Sequence, residues 1–363
     1  MKVPFIDFSI EYEGNEKEYS ELLLKHLKEG EFIGGKSVAE FENSLSEYLS
    51  VENVISVGNG TDALIIALES LELERKEVIV PAFSFFATSE AIVQAGLVPK
   101  FIDVSIDDCN IDVNQIENNI TKKTGAILPV HLFGKSSNMN EILSLATKYK
   151  LKIVEDTAQS FGTQYNNKFL GTIGDIGCFS FFPTKTLGAY GDGGAITTDN
   201  KKLADRARML KNHGASRKYF NEIIGYNSRL DSIQASFLSM KLKKMKEFIS
   251  LRKKAGNFYN KLLEKNENLT IVDNYESSFN YYSIVLKNGD RDELQNYLNE
   301  AGVSTAIYYP KTLPSLPAHN VTKKFPNAEF LSKNILSIPI FPSIEEDQQI
   351  YVADKIKEFY LNN

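Results

Sequence analysis

Short β-branched runs alternate with helical stretches through the first two thirds of this 363-residue sequence. Each run is bounded by glycine, proline or a polar cluster, and the stretches between the runs have helical spacing. Strands that alternate with helices of this length form a mostly parallel sheet with helices on both faces. We therefore predict an α/β fold with strands over residues 54–57, 77–81, 98–104, 125–130 and 151–155, and helices over residues 63–71, 88–95 and 140–149.

The last third of the chain has a different pattern. A long helix is predicted over residues 232–263, because Leu238, Leu242, Met245 and Phe248 recur on one face. Its lysine-rich opposite face is interpreted as solvated rather than as a nucleic-acid or membrane patch, because the whole chain is acidic. Short strands and prolines follow, and a chain of this length suits two domains. We predict a large domain over residues 1–245 and a smaller C-terminal α+β domain over residues 246–363.

The whole-chain composition excludes several classes of protein. Charged residues make up 24% and apolar residues 42%, and the net charge is −6, which gives no overall attraction to nucleic acid or anionic membranes. The N-terminus has no signal-peptide core, and no apolar run reaches the ~18 residues of a membrane span. Two cysteines and four histidines without metal-ligand spacing predict neither disulfides nor a bound metal. We expect a cytoplasmic protein.

A glycine-rich turn between a strand and a helix is the first indication of chemistry. In Gly58-Asn59-Gly60-Thr61-Asp62, the glycines let the backbone turn tightly and approach a ligand closely. Free N–H groups in the first helical turn, together with the helix dipole, form an anion site. A plain tight turn in which Thr61 or Asp62 caps the helix explains this segment equally well. Its spacing matches neither the dinucleotide-binding fingerprint nor the P-loop.

Two charged side chains follow predicted strands. Asp156 comes directly after the strand at 151–155, and ligands bind at the carboxyl ends of strands in open α/β sheets. On its own, this residue is better explained as a cap of the next helix. Lys185 lies between an aromatic run at 179–183 and a glycine cluster at 188–194, which indicates burial. Buried lysines titrate readily and form Schiff bases.

Taken together, these residues match the requirements of one cofactor. Pyridoxal phosphate (PLP) needs an anion cradle for its phosphate, a lysine for its aldehyde and a carboxylate for its pyridinium nitrogen. Gly60-Thr61-Asp62, Lys185 and Asp156 offer one of each.

The chain resembles the fold-type-I, PLP-dependent nucleotide-sugar aminotransferases (DegT/DnrJ/EryC1/StrS type), which make amino deoxysugars on nucleotide carriers. The resemblance runs in order along nearly the whole chain, and it implies an aspartate-aminotransferase-like large domain that binds PLP. The matching motifs are VGNGTDAL (57–64), VPAFSFFAT (80–88), PVHLFG (129–134), VEDTAQSFG (154–162), FSFFPTKTLGAYGDGGAITT (179–198), NHG (212–214), GYNSRLDSIQA (225–235), IYYPKTLP (307–314) and LSIPIFP (336–342).

The resemblance implies a role for each matching residue. Lys185 is expected to form the Schiff base with PLP and to act as general base, and Asp156 to pair with the pyridinium nitrogen. Gln159 is expected beside the 3-oxygen of the cofactor, and Phe85 to stack on its ring. The residues expected at the phosphate are Gly60, Thr61, Asp62, Ser180 and, from the neighbouring subunit, Asn227. A homodimer with shared active sites is therefore implied.

Four further residues are candidates for substrate binding. Lys218 and Tyr219 precede the Asn227 loop, and they are interpreted either as contacts to the nucleotide diphosphate across the dimer or as surface residues. Tyr308 and Tyr309 are expected to border the sugar pocket. His131, which follows a strand, is interpreted as a structural histidine rather than as an acid–base group.

The implied reaction moves an amino group from L-glutamate to a keto sugar, with pyridoxamine phosphate as the carrier. GAYGDGGA, KYFNEIIGYNSRLD and PVHLFG look most like the branch that aminates C3 of dTDP-linked 3-keto-6-deoxyhexoses. Its products are 3-amino-3,6-dideoxyglucose or -galactose, the sugars of Qui3NAc and Fuc3NAc in glycans such as lipopolysaccharide. Phe133 and Phe182 stand where relatives often have tyrosine, Thr186 where asparagine and Tyr308 where histidine is common. These differences leave the hexose configuration open.

Three alternative functions stay open at this stage. The chain is a candidate C4 aminotransferase for a nucleotide-linked 4-keto sugar. It is also a candidate PLP-dependent sugar dehydratase, although such relatives replace the lysine with histidine and this chain keeps Lys185. A non-catalytic regulator with the same fold would be expected to have lost Asp156, Gln159 or Lys185, and none is lost.

Overall fold

The computed structural model describes residues 1–272, 275–287 and 290–362. Its strands are β1 (Asn53–Val57), β2 (Glu77–Pro81), β3 (Val98–Ile102), β4 (Thr124–Ile127), β5 (Lys152–Asp156), β6 (Gln164–Tyr165), β7 (Lys168–Phe169), β8 (Ile176–Ser180), β9 (Gly194–Thr198), β10 (Ala215–Arg217), β11 (Phe220–Asn221), β12 (Leu269–Ile271), β13 (Tyr282–Leu286) and β14 (Ile335–Ile338).

Helices precede, separate and follow these strands. They are α1 (Ser9–Tyr12), α2 (Glu16–Glu29), α3 (Gly35–Leu49), α4 (Gly60–Ser70), α5 (Phe86–Gln94), α6 (Val113–Asn119), α7 (Met139–Tyr149), α8 (Lys201–Leu210), α9 (Ser232–Lys243), α10 (Met245–Leu263), α11 (Arg291–Glu300), α12 (Pro326–Asn334) and α13 (Glu346–Asn362), with short 3₁₀ turns at Leu132–Gly134 and Leu313–Ser315. No helix in the described ranges is both long and apolar enough to cross a lipid bilayer.

A seven-stranded sheet forms the centre of the molecule, in the order β1-β9-β8-β5-β4-β2-β3. Strands β8, β5, β4, β2 and β3 run parallel, and β9 is antiparallel to both β8 and β1. The inner strands are almost wholly buried because helices cover both faces of the sheet. The predicted α/β class with a mostly parallel sheet is confirmed.

The parallel strands bring polar groups to one edge of this sheet. Asp156 is the last residue of β5, and Ser180 is the last residue of the neighbouring strand β8. Helix α4 begins beside them at Gly60, and α5 begins after Phe85, just beyond the end of β2. In open α/β sheets, ligands bind outside the carboxyl ends of the strands.

The C-terminal part of the chain builds a smaller antiparallel sheet, in the order β12-β13-β14. An apolar cluster, with Leu336, Val352 and Ile356 among its members, joins this sheet to α10, α11 and α13. Val3, near the N-terminus, packs in the same cluster and pairs with Val303. The division into domains at residues 245 and 246 stays a prediction, and it falls one residue inside α10.

The long helix predicted over residues 232–263 is wrong as a single element. It is two helices, α9 and α10, separated at Lys244, whose φ of −96° and ψ of 1° leave the helical region. The inward face was predicted correctly, since Leu238, Leu242, Met245 and Phe248 are all buried. No glycine or proline marks the break, so the hydrophobic spacing continues across it.

An aspartate at the end of β3 joins the two parts of the molecule. Asp103 is buried, and its carboxylate accepts hydrogen bonds from the backbone N–H groups of Ala328 (2.9 Å) and Asn327 (3.0 Å). These residues form the first turn of α12, whose own N-cap residue, Phe325, offers no side-chain cap. Asp103 therefore satisfies helix-end donors that would otherwise be buried without an acceptor.

We expect Asp103→Ala to lower the free energy of unfolding by about 1–2 kcal/mol, because the buried N–H of Ala328 and the partly buried N–H of Asn327 lose their acceptor. Urea denaturation followed by circular dichroism measures this change. Asp112→Ala is the matched control, since Asp112 caps α6 at an exposed position where water replaces the lost bond. A loss no larger than that of the control would show that Asp103 does not support α12.

Candidate active site

A cavity of about 650 Å³ opens at the carboxyl ends of β2, β5 and β8. It is lined by residues from the sheet edge and from the C-terminal part of the chain. Of the residues singled out in the sequence, it brings together Gly60, Thr61, Asp62, Phe85, Asp156, Gln159, Ser180, Lys185, Tyr308 and Tyr309.

Asp156 is the buried charge at the floor of this cavity. Its Oδ2 accepts a hydrogen bond from the Thr88 hydroxyl (2.8 Å), and its Oδ1 accepts one from the Ala158 N–H (3.1 Å). Burial raises the pKa of the Asp156 carboxyl, and these hydrogen bonds and the charge of Lys185 oppose that rise only in part. A carboxylate has about four acceptor positions, so Asp156 retains capacity for a cationic N–H donor.

Gln159 connects the sheet edge to the C-terminal part of the chain. Its Oε1 accepts from the Phe133 N–H (2.9 Å), and its Nε2 donates to the Tyr309 hydroxyl (2.8 Å). These two bonds fix the orientation of the amide, and they therefore also set the direction of the second N–H of Nε2. Gln159 is thus held in place as a donor at the wall of the cavity.

The start of α4 forms an anion cradle. Asn59 caps the helix by accepting the Asp62 N–H (2.8 Å), and the first N–H groups of the helix have no acceptor within it. A Cβ at Gly60 would lie 2.7 Å from the Cβ of Ser180, so only glycine lets the helix start approach β8 this closely. The Gly60 backbone and the Ser180 hydroxyl therefore border the same space.

Asp62 has a protein partner as well as a place in the cavity wall. Its Oδ2 accepts a hydrogen bond from the Ser228 hydroxyl (2.6 Å), which in turn accepts from the Gly58 N–H (2.9 Å). This chain of bonds joins the anion cradle to the loop that carries Asn227, which directly precedes Ser228.

Aromatic rings form the outer wall. Phe85 is 55% exposed on the cavity side, and its ring centre lies 5.8 Å from that of Tyr309. Tyr308 stacks at an angle on Tyr281, with ring centres 4.5 Å apart. Burial raises the pKa of both Tyr308 and Tyr309, so both hydroxyls are neutral at pH 7 and available as donors.

Three residues singled out in the sequence lie outside this cavity. Lys218 and Tyr219 form the tip between β10 and β11, where Tyr219 is 88% exposed and the Lys218 Nζ lies 5.1 Å from its ring centre. Asn227 is also exposed and forms a bridge with Asn212. Within one chain, none of the three lines the cavity, although Asn227 directly precedes Ser228, which bonds Asp62.

Several residues in or behind the cavity wall were not predicted as site residues from the sequence. Thr88, which bonds Asp156, occupies the first turn of α5, where a buried hydroxyl is unexpected on an apolar helix. Tyr281 contacts Thr184 and Lys185 from a segment almost a hundred residues away along the chain, and no sequence pattern marks that contact. Phe182, Thr184 and Asp192 also line the cavity.

His131 does not line the cavity but is buried behind it. Its Nδ1 accepts the Ser137 N–H (3.1 Å), so its Nε2 carries the proton and donates to Glu155 (3.1 Å). Glu155 also accepts from the N–H groups of residues 171, 173 and 174. This network holds the strand end next to Asp156. No cluster of metal-ligating side chains occurs among the described residues.

The arrangement fits PLP on three separate points. Asp156 is a buried carboxylate with one hydrogen bond to each oxygen from Thr88 and Ala158, so it retains acceptor positions for a cationic N–H. The Gly60 turn is a cradle that any Cβ would fill. Lys185, between them in the cavity lining, offers a primary amine. PLP carries a pyridinium, a phosphate and an aldehyde on one small molecule. A carboxylate, an anion cradle and an amine must therefore surround a single cavity to bind it.

Comparison with known proteins gives a family over almost the full length. A sequence profile of the DegT/DnrJ/EryC1/StrS aminotransferase family matches residues 14–357. A "pleiotropic regulatory protein" of Geobacillus stearothermophilus is 39% identical, covering 99% of both chains. A UDP-N-acetyl-3-dehydro-α-D-glucosamine 3-aminotransferase of Acidithiobacillus ferrooxidans is 36% identical, covering 98% of this chain and 97% of that protein.

Two further comparisons bear on substrate and cofactor. A dTDP-3-amino-3,6-dideoxy-α-D-galactopyranose transaminase of Aneurinibacillus thermoaerophilus is 35% identical, covering 98% of this chain and 99% of that protein. The crystal structure of NtdA from Bacillus subtilis with bound cofactor PMP has a TM-score of 0.91 and 32% identity. That alignment covers 98% of this chain and 85% of the other.

We expect Asp156→Asn to stabilise the cofactor-free protein at pH 7 and to weaken its stabilisation by added PLP. Because the native pKa of Asp156 is raised, its contribution to stability is fully present below its unfolded value of ~3.9 and is lost as the pH rises through the native value. The uncharged amide removes the free-energy cost of burying an ionised carboxylate at pH 7. The difference in stability between Asp156→Asn and the wild-type protein should therefore disappear on acidification.

Urea midpoints with and without PLP, measured from pH 4 to pH 8, test both parts. Asp175→Asn serves as a control, since Asp175 is a partly exposed aspartate outside the cavity that pairs with Lys152. If Asp156→Asn lowers the urea midpoint of the cofactor-free protein at pH 7, the buried charge of Asp156 does not destabilise the native protein.

Proposed function

The chain belongs to the DegT/DnrJ/EryC1/StrS aminotransferase family, and on that premise we propose that it transfers an amino group from L-glutamate to C3 of a dTDP-linked 3-keto-6-deoxyhexose. It is an aminotransferase of nucleotide sugars, and its cofactor is PLP. The C3 position, the dTDP carrier and the glutamate donor are the finer parts of the proposal.

The proposal rests on one observation, which is that three groups required by PLP line the same cavity. The buried Asp156 carboxylate, the Lys185 amine and the cradle at Gly60 all line it. Each residue type alone has a structural explanation, but the three around a single space match one cofactor. Tyr308, Tyr309 and Phe85 leave an amphipathic opening above them for a sugar.

When bound, PLP supplies an aldehyde that bonds amines and a ring that draws electrons from the carbon being deprotonated. The Lys185 Nζ would hold the aldehyde and, when free, would serve as the base for the proton on the donor's α-carbon. Asp156 would pair with the ring nitrogen, and Gln159 would donate to the 3-oxygen. Gly60, Thr61 and Ser180 would bind the phosphate, and Asp62 would position the turn.

Support for C3 comes from relatives that act there. The A. ferrooxidans and A. thermoaerophilus proteins are both named for 3-amino products or 3-keto substrates. They differ in carrier, UDP in one and dTDP in the other, and their identities to this chain are close. The motif resemblance to the 6-deoxyhexose branch favours dTDP. Tyr308 and Tyr309 are then expected to donate hydrogen bonds to sugar oxygens.

The same residues distinguish between the alternative functions. A dehydratase of this fold uses histidine in place of the lysine, and Lys185 is present. A purely regulatory protein has no need of a buried, costly carboxylate, yet Asp156 is present and two hydrogen bonds orient it. The relative named as a regulatory protein gives this alternative specific support. A C4 aminotransferase uses the same catalytic residues, so only product analysis separates it.

We expect the PLP-loaded protein to release 2-oxoglutarate from glutamate and to convert dTDP-3-keto-6-deoxyglucose or -galactose into the 3-amino sugar. The test incubates it with a panel of 3-keto and 4-keto sugars on dTDP, and with UDP-linked 3-keto-N-acetylglucosamine. Mass spectrometry and NMR of the product determine the carbon that bears nitrogen. Turnover only of a 4-keto or UDP-linked substrate would contradict the corresponding part of the proposal.

Lys185→Ala provides the control for this panel. Without the amine, proton transfer at the donor's α-carbon loses its base, and turnover should fall by at least about 10³-fold, the scale of general acid–base catalysis. Lys218→Ala keeps the catalytic amine and should retain the glutamate half of the reaction. Glutamate-dependent turnover by Lys185→Ala would refute the role given to this lysine.

We also propose that the active unit is a two-fold dimer in which Asn227 reaches the partner's cofactor phosphate. Asn227 is exposed in one chain and lies outside its own cavity, yet it directly precedes Ser228, which bonds Asp62 in the anion cradle. A polar residue placed beside its own site but not in it suits a contact to the second copy. Lys218 and Tyr219, on the adjacent exposed tip, are proposed to contact the nucleotide diphosphate in the same way.

Mixing two inactive variants tests this arrangement. Lys185→Ala and Asn227→Ala are each impaired, but in a mixed dimer the Asn227→Ala subunit keeps its own Lys185 and borrows a normal Asn227. When equal amounts of the two variants associate at random, half of the dimers contain one subunit of each, and each such dimer has one complete site. About a quarter of wild-type activity should therefore return. If mixing with proven subunit exchange restores nothing, Asn227 acts within its own chain.

A further inference from the structure

A buried segment of the C-terminal part of the chain contacts the loop between β8 and β9 that carries Lys185. All five residues of Ser277–Tyr281, which we name the brace, are buried, and they directly precede β13. The Ser278 N–H donates to the Thr163 hydroxyl (3.0 Å), and the guanidinium of Arg252 donates to the Phe279 carbonyl (3.2 Å). The brace is therefore fixed at both the sheet side and the side of α10.

The end of the brace contacts both neighbours of Lys185. The Oδ1 of Asn280 accepts from the N–H of Thr186 (3.0 Å) and from its hydroxyl (3.1 Å). The hydroxyl of Tyr281 pairs with that of Thr184 (3.2 Å). The face of the Tyr281 ring lies 5.7 Å from the Lys185 Nζ. Two consecutive residues thus hold the residue before the lysine, the residue after it and the amine itself.

Lys185 needs such support because the chain around it has no regular structure. It lies between β8 and β9, and its own backbone N–H makes only a short-range turn bond to the Phe182 carbonyl (2.9 Å). A lysine side chain has four flexible carbons, and small displacements of a catalytic group cost large factors in rate. Contacts on both flanking residues restrict the positions that the amine can reach.

We propose that Asn280 and Tyr281 are positioning residues that set the reach of the Lys185 amine toward the cofactor aldehyde. Asn280 and the Tyr281 hydroxyl fix the backbone on either side of Lys185. The Tyr281 ring provides a cation–π resting place for the ammonium when it is not bonded. The inference rests on the proposed function only for the covalent use of Lys185, and it is independent of the donor and the sugar.

The same segment supplies a matched control. Tyr282 is the next residue, is equally buried and is also a tyrosine, but its hydroxyl donates to Asn260 (2.8 Å), away from the lysine. Tyr282→Phe therefore removes a buried hydroxyl from the same part of the core without touching a neighbour of Lys185. Any effect that follows from loss of stability alone should appear in both Tyr281→Phe and Tyr282→Phe.

The test measures capture of PLP by the cofactor-free protein and, separately, affinity for pyridoxamine phosphate, which cannot bond to lysine. Stopped-flow absorbance gives the rate of covalent capture. We expect capture to slow about threefold in Tyr281→Phe, about tenfold in Asn280→Ala and more than tenfold in Tyr281→Leu, which loses the ring as well. Pyridoxamine phosphate affinity should stay within about twofold, and Tyr282→Phe should change neither quantity.

A double-mutant cycle adds a sharper criterion. Thr184→Val removes the same hydrogen bond as Tyr281→Phe, so the two substitutions together should slow capture no more than either alone. The proposal is overturned if capture is unchanged in Tyr281→Leu and Asn280→Ala, or if pyridoxamine phosphate affinity falls in parallel with capture. If the wild-type protein itself captures no PLP, the proposed function fails instead, because the brace then has no lysine reaction to guide.

Discussion

Burial of the Asp156 carboxylate is the constraint on which the rest of the site depends. Burial raises its pKa, and the surrounding structure is arranged to hold the charge in one place. Strand β5 carries it to the carboxyl edge of the sheet, and Thr88 and Ala158 each donate one hydrogen bond to it. Its backbone is paired with residues 129 and 131 of the adjacent segment. In the proposed function, a pyridinium N–H paired with this carboxylate would offset the cost of its burial, and cofactor binding and stability would then be coupled.

The cavity is complete only when both parts of the chain are folded together. The sheet contributes the carboxylate and the anion cradle, and the C-terminal part contributes Tyr281, Tyr308 and Tyr309. Gln159 is bonded to both sides, since it accepts from the sheet-edge loop and donates to Tyr309. A chain truncated before the C-terminal sheet would keep the cofactor-binding residues but lose the wall that faces a substrate.

The sequence was sufficient to predict the parts of the fold that local patterns specify. Strand β2 and the order of strands and helices follow from β-branched runs bounded by glycine and proline. The break at Lys244 was not predictable, because hydrophobic spacing continues through it and tertiary contacts bend the backbone. The Gly60 turn, Asp156 and Lys185 could be proposed from residue type and position near strand ends, whereas Gln159, Phe85, Ser180 and Asn227 were implied only by the family resemblance. Thr88 and Tyr281 were not predicted, because their roles arise from contacts between distant segments.

The central claim, that Lys185 is the amine that PLP bonds, is tested most directly by borohydride reduction of the PLP-loaded protein and peptide mapping. Reduction makes the link to lysine permanent, so the modified peptide identifies the residue. The account predicts loss of visible absorbance and one modified peptide, which contains Lys185. Modification of a different lysine, or none in a protein shown to contain PLP, would contradict the assignment of this cavity as the active site.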